Sequence, residues 1–84
     1  MPTNHTPVAL KDAQLFLEEC IQSHELVSLV ALTAEGEIRR YVGWQVLSSW
    51  YMGGTHTLVN PRSGQKRKVR DVLIFELNGH PVFL

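Results

Sequence analysis

The stretch LVSLVALTAEGEIRRYVGWQV, residues 26–46, carries the strongest fold signal in this 84-residue chain. Leu26 to Thr33 is rich in β-forming residues and predicts a strand. Ala34-Glu35-Gly36-Glu37 predicts a hairpin turn whose glycine takes the left-handed conformation. Residues 38–46 predict a long second strand, in which Gly43 marks a bulge or bend. A β-hairpin is therefore expected at the centre of the fold.

Alternation along the second strand divides its side chains between two faces. We expect one face to be buried because most of its residues are apolar, with Trp44 in the core and Arg40 turned toward the same side. The set on this face is Ile38, Arg40, Val42, Trp44 and Val46.

An amphipathic helix of about four turns is predicted before the hairpin. The residues that form its stripe are Leu10, Ala13, Leu17, Cys20, Ile21 and His24. Cys20 is therefore expected to be a small core residue rather than a nucleophile. Glu18 and Glu19 are expected to face water. Residues 1–9 contain two prolines and predict an extended lead-in.

Further short strands are predicted after the hairpin, separated by turns rich in glycine, proline and asparagine. They are Thr55 to Val59, Gln65 to Arg70, Val72 to Leu77, and a last segment, His80 to Leu84, which Pro81 should keep at a sheet edge. Asn78-Gly79 is the strongest short hairpin signal. These elements predict an α+β fold in one domain, residues 10–84, with the N-terminal helix packed on a small, strongly bent, five- or six-stranded antiparallel barrel. An open sheet with the helix on one face is the alternative.

Charge is distributed in blocks, although the formal net charge is zero. Residues 1–37 contain one lysine and six acidic residues, whereas residues 38–70 contain seven basic residues and no acidic one. Such a distribution indicates recognition of a charged partner. The alternative is an internal balance, in which the acidic helix covers the basic strand. A third arrangement pairs the two head to tail between subunits of a homo-oligomer.

The candidate binding residues lie mainly between residues 62 and 70. On a strand, Lys66, Lys68 and Arg70 share one face, whereas Arg67 and Val69 share the other. Aromatic side chains beside basic ones suit single-stranded nucleic acid, because bases stack on the rings while the cations neutralise phosphates. The predicted contacts are Arg39, Tyr51, Arg62, Lys66, Arg67, Lys68 and Arg70, with Trp44 and Trp50 as stacking or pocket residues. A solvated hairpin that resists aggregation is the alternative interpretation.

Other classes of function find little support in the sequence. The four histidines have no metal-ligand spacing, no glycine pattern matches a phosphate loop, and the serines lack a nucleophile elbow. We therefore expect no catalytic residues, no metal, no cofactor and no enzymatic activity. One cysteine and the absence of a long apolar run favour a soluble cytoplasmic protein without membrane contact.

The order of these elements resembles the Rof family of small Rho-binding antitermination proteins. The resemblance rests on Cys20-Ile-Gln22-Ser-His24, the Ala34 to Glu37 hairpin, and Gly64-Gln-Lys-Arg67-Lys-Val69-Arg70. It implies a helix on an Sm-like barrel that binds the transcription terminator Rho without enzymatic activity. The chain departs from the family in its basic middle and in Asp71, where an apolar residue is expected. Gly64 to Leu77 also resembles the end of a WYL domain, an Sm-like ligand-sensing module.

Three functional hypotheses follow. The first is a non-catalytic binding module that regulates the transcription or RNA machinery through a basic, aromatic-flanked strand face, with RNA or single-stranded nucleic acid as ligand. The second is a protein inhibitor or adaptor that binds an acidic protein surface. The third is a small-molecule sensor whose barrel mouth is lined by Trp44, Trp50 and Tyr51.

Overall fold

The computed structural model describes residues 6–84 and contains one α-helix, two short 3₁₀ helices and seven strands within that range. The helix α1 is Leu10–Ser23, and the 3₁₀ helices are Tyr51–Gly53 and Asp71–Leu73. The strands are β1 Val8–Ala9, β2 Leu26–Leu32, β3 Ile38–Trp50, β4 Thr55–Val59, β5 Lys66–Arg70, β6 Ile74–Leu77 and β7 His80–Phe83.

All seven strands belong to one sheet, in the order β1-β7-β6-β2-β3-β4-β5. Neighbouring strands are antiparallel, except that β1 runs parallel to β7. The predicted α+β class with an N-terminal helix is confirmed. The five- or six-stranded barrel is not confirmed, because the sheet has seven strands and is open, ending at β1 and β5.

Two predicted boundaries need correction. Val8 and Ala9, expected in the lead-in, pair with Val82 and Phe83, so β7 is not the edge strand that was predicted from Pro81. Residues 1–5 of that lead-in lie outside the described residues. The strand expected from Val72 begins at Ile74, because the chain first makes a 3₁₀ turn.

The bulge predicted at Gly43 is confirmed, and it reverses the alternation of β3. Between the pairs Val27↔Trp44 and Leu29↔Tyr41, β3 contains one residue more than β2. Gly43 adopts a φ of +67°, which side-chain-bearing residues rarely take, and its N–H donates to Ser28 Oγ at 3.2 Å. The side chains of β3 that precede Gly43 therefore lie on the face of the sheet opposite to the predicted one.

The reversal makes part of the predicted buried face wrong. Tyr41 is 4% exposed and Val46 is 1% exposed, whereas Val42 is 67% exposed. Arg40 is also exposed, and so is Ile38. Trp44, after the bulge, is half-buried and packs edge-on to Tyr41 with ring centroids 5.1 Å apart. Of the residues predicted on the buried face, only Trp44 and Val46, which follow the Gly43 bulge, have the predicted orientation.

The helix covers the sheet with its predicted stripe. Ala13, Leu17 and Cys20 are almost fully buried against Leu29, Leu58 and other sheet residues. His24, predicted in that stripe, is instead exposed and ends the helix with a φ of +62°, its N–H donating to Cys20 O at 2.9 Å. The core therefore lies between α1 and the concave side of the sheet.

No helix among residues 6–84 has the length and apolar character needed to cross a bilayer.

Candidate functional site

The pairing of β4 with β5 determines which way the basic side chains face. The cross-strand pairs alternate between the two faces of the sheet. One set is Thr55↔Arg70, Thr57↔Lys68 and Val59↔Lys66, and the other is His56↔Val69 and Leu58↔Arg67. Val69 is 3% exposed and Leu58 is fully buried, so their side is the inner face of the sheet. Lys66, Lys68 and Arg70 are all exposed and lie on the outer face, as the alternation predicts.

Trp50 lies on the same outer face. A second bulge, at Leu47, separates the pairs Val46↔Leu58 and Ser48↔Thr57 and reverses the alternation again. Trp50, which pairs with Thr55, is therefore directed outward and is 59% exposed, whereas Trp44 faces inward. The Nζ of Lys68 lies 5.8 Å from the centroid of the Trp50 ring. We call Trp50, Lys66, Lys68 and Arg70 the basic face.

Gly53 packs against the ring of Trp50. A Cβ atom built on Gly53 would lie 2.4 Å from Cε3 of that ring, closer than side-chain contacts allow. The indole therefore lies directly against the backbone of the 3₁₀ helix that follows β3. This packing holds the indole next to the cations of β5, and Trp50 remains 59% exposed.

The basic face has no internal ion-pair partner. Three ion pairs occur among residues 6–84, and they join Arg39 to Glu37 at 3.8 Å and His56 to both Glu18 and Asp71. No carboxylate in that range is within pairing distance of Lys66, Lys68 or Arg70. The acidic helix therefore does not neutralise the basic strand within the described structure.

The other predicted contacts are spread around this face. Arg62 is exposed in the turn at the far end of β5 from Arg70, where its N–H donates to Asn60 Oδ1 at 2.9 Å. Arg67 is half-buried on the inner side, and its Nη1 donates to Lys66 O at 3.2 Å. Tyr51 begins a 3₁₀ helix, but its side chain lies outside the described part of the structure.

Arg39 and Arg67 meet at a groove between the β2–β3 turn and the free side of β5. Its volume is about 630 Å³. Its apolar lining comes from Leu32, Ala34, Tyr41, Val69 and Leu73. Its charged lining comes from Glu35, Arg39, Arg67, Lys68 and Arg70. Because β2 and β5 are separated in the sheet by two strands, this shared groove requires the sheet to curl strongly. We call it the edge groove.

A buried cluster around His56 is not predicted by the sequence. The ring is 3% exposed, with Nδ1 at 2.6 Å from Asp71 Oδ1 and Nε2 at 2.7 Å from Glu18 Oε2. Gln14 Nε2 donates to Asp71 Oδ2 at 2.9 Å, and Ser49 Oγ donates to Glu18 Oε1 at 3.3 Å. We call these five residues the His56 cluster. It connects α1 to β3, β4 and the second 3₁₀ helix.

The cluster favours a charged histidine. Burial of the ring disfavours its protonation, but hydrogen bonds and charge from Asp71 and then Glu18 outweigh burial and raise the pKa of His56 above its usual 6.5. Since a carboxylate can only accept, both ring nitrogens donate. His56 then has no lone pair for a metal or for proton abstraction. Residues 6–84 also contain no group of three or more His, Cys, Asp or Glu side chains that could hold a metal ion.

Glu18 therefore does not simply face water, although its side chain is 49% exposed. The contact was invisible in the sequence because Glu18 and His56 are 38 positions apart. The one signal in the sequence was Asp71, because the resemblance to the Rof family implies an apolar residue at that position. It is 3% exposed, and its N–H donates to Gly54 O at 2.9 Å.

Comparison with protein-family models, curated proteins and solved structures found no match to this chain. The resemblance to the Rof family stays a prediction.

Proposed function

We propose that this protein is a non-catalytic binding module that binds single-stranded nucleic acid, RNA in particular, on its basic face. One observation carries the proposal. Three cations on one exposed face have no carboxylate partner within residues 6–84, and they lie beside a half-exposed indole.

The arrangement suits a flexible strand of nucleotides. Lys66, Lys68 and Arg70 are alternate residues, so the row spans about 13 Å along β5. Unpaired cations along such a row can contact successive phosphates and release their counterions. A base stacked on Trp50 would contribute about 1–3 kcal/mol. The ligand is single-stranded because a paired base cannot present its flat face to the ring.

The proposal extends to the fold and the biological setting. We regard the strongly curled sheet with its N-terminal helix as an Sm-like arrangement in which β5 pairs with no further strand, so the barrel stays open. The resemblance to the Rof family favours a regulator of transcription or RNA metabolism. The absence of enzymatic activity is proposed because both nitrogens of the most buried titratable ring already donate to carboxylates.

A matched pair of charge reversals tests the proposal. Lys68→Glu changes the centre of the basic face, whereas Arg40→Glu changes another exposed residue, which lines a different groove with Val30 and Glu76. Anisotropy titrations with labelled single-stranded RNA of roughly ten nucleotides would give both affinities. We expect Lys68→Glu to weaken binding at least tenfold and Arg40→Glu to have little effect. Equal losses in both variants, or no binding by the wild type at low salt, would overturn the proposal.

A further inference from the structure

The free side of β5 is an unpaired sheet edge. The bonds Asp71 N–H to Gly54 O and Asn60 N–H to Gln65 O establish the pattern of the β4–β5 ladder. Odd-numbered residues of β5 therefore direct their backbone groups toward β4. The N–H groups of Lys66, Lys68 and Arg70 and the C=O of Lys68 face away from it.

Nothing in the described structure pairs with this edge. β5 is the last strand of the sheet, and the backbone bonds among residues 6–84 include none to these outward groups. The C=O of Lys66 accepts from Arg67 Nη1, which is a side-chain contact rather than strand pairing. Unpaired edge groups of this kind are a template for another extended chain.

The edge groove lies beside this edge and supplies side-chain specificity. A strand added to β5 would place every second side chain on the inner side, in the groove that Leu32, Tyr41 and Val69 line together with Arg39 and Arg67. The side chains between them would lie on the outer face beside the basic residues of β5. The site therefore fits a strand in which apolar and acidic residues alternate.

Charge excludes β5 of a second copy as the occupant. Antiparallel pairing of two β5 strands would bring Lys66, Lys68 and Arg70 of each copy opposite basic residues of the other. Like charges directly opposite each other destabilise a strand pair. An acidic strand from another protein avoids this repulsion and pairs with the cations.

We propose that β5 is a docking edge at which an extended acidic segment of another protein adds as a further strand, with its apolar residues in the edge groove. This inference goes beyond nucleic-acid binding, because it uses backbone groups and the inner groove rather than the aromatic ring. Both ligands nevertheless need the cations of the basic face. They should therefore compete.

Two variants at one position separate backbone recognition from charge. Lys68→Ala removes the cation and keeps the outward N–H, whereas Lys68→Pro removes both. Proline is tolerated at an edge strand when its nitrogen faces away from the ladder. The probe is a synthetic peptide of roughly seven residues that alternates glutamate with valine or leucine. A scrambled peptide of the same composition is its control.

Calorimetric titration should show that the alternating peptide binds wild type at least tenfold more tightly than the scrambled peptide. Lys68→Pro should lose at least tenfold more affinity for the peptide than Lys68→Ala, whereas both variants should bind RNA equally weakly. Hydrogen exchange of the Lys68 amide in wild type should slow on peptide binding. This slowing does not depend on whether the proline variant folds.

Equal binding of the alternating and scrambled peptides would overturn the inference, because charge alone would then explain affinity. Slow exchange of the Lys68 amide in concentrated protein without peptide would also overturn it, since a second copy would then occupy the edge. Failure of RNA to bind would contradict only the proposed function.

Discussion

Replacing His56 by alanine should destabilise the protein strongly, because it leaves the buried carboxylate of Asp71 without its charged partner. Asp71 has a side chain only 4% exposed and would keep one side-chain donor, the amide of Gln14. Breaking a buried ion pair by removing one partner costs about 3–5 kcal/mol. A chain of this length is expected to have a total stability of about 4–13 kcal/mol. His56→Ala should therefore remove a large part of the free energy of unfolding.

Urea unfolding followed by circular dichroism measures this loss, with neighbouring glutamates of α1 as matched controls. Glu18→Gln removes the charge that faces His56 Nε2 and should cost about 1 kcal/mol, since the side chain is half exposed. Glu19→Gln changes an exposed residue on the same helix turn and should stay within about 0.5 kcal/mol of wild type. If His56→Ala costs no more than Glu19→Gln, the cluster does not stabilise the fold.

The same cluster predicts a pH dependence whose sign follows from the raised pKa of His56. The folded state holds this proton more tightly than the unfolded state, so the contribution of His56 is fully present below about pH 6.5. It is lost as the pH rises through the higher pKa of the folded protein. Wild type should therefore lose stability above about pH 6.5, and His56→Ala should lack this part of the decline. A wild-type profile that rises in this range would refute the reasoning.

Three further predictions concern single residues. Gly43→Val should lower the free energy of unfolding in urea by about 1–2 kcal/mol, because valine disfavours a φ of +67°. Val42→Ala, at the neighbouring position, should change stability little. Equal effects of the two substitutions would contradict the role of the bulge. Gly53→Ala should displace the Trp50 ring and weaken RNA binding. The loss of stability should stay under about 1 kcal/mol, since the ring is exposed and can move. Unchanged RNA affinity would show that the ring does not contact RNA. Burial raises the pKa of the Cys20 thiol, with smaller contributions from Glu25 and Glu19. Iodoacetamide should therefore react much more slowly with the folded protein than with the protein unfolded in urea. Equal rates would contradict the burial of Cys20.

Local sequence signals predicted the elements that depend on local chemistry. The apolar stripe placed α1, and the turn residues placed the hairpins at Gly36 and at Asn78-Gly79, which adopt the expected positive φ values. The face shared by Lys66, Lys68 and Arg70 also followed from simple alternation, because β5 contains no bulge against β4.

The features that were missed depend on distant parts of the chain or on one extra residue. Simple alternation predicts the wrong face for Arg40 and Ile38, because the bulge at Gly43 reverses the faces of the residues before it. The pairing of Val8 with Val82 and the contact of Glu18 with His56 join residues far apart in sequence, where no periodicity relates them. Whether the sheet closes also depends on tertiary curvature, which short strand patterns do not encode.

The salt dependence of RNA binding tests the central claim most directly. If Lys66, Lys68 and Arg70 each contact one phosphate, a plot of log affinity against log salt concentration should have a slope of about −2 for a single strand. Lys68→Ala should reduce the magnitude of that slope by about 0.7, and Arg40→Ala should leave it unchanged. A slope near zero in wild type, or an equal change in both variants, would contradict the assignment of the basic face as the binding surface.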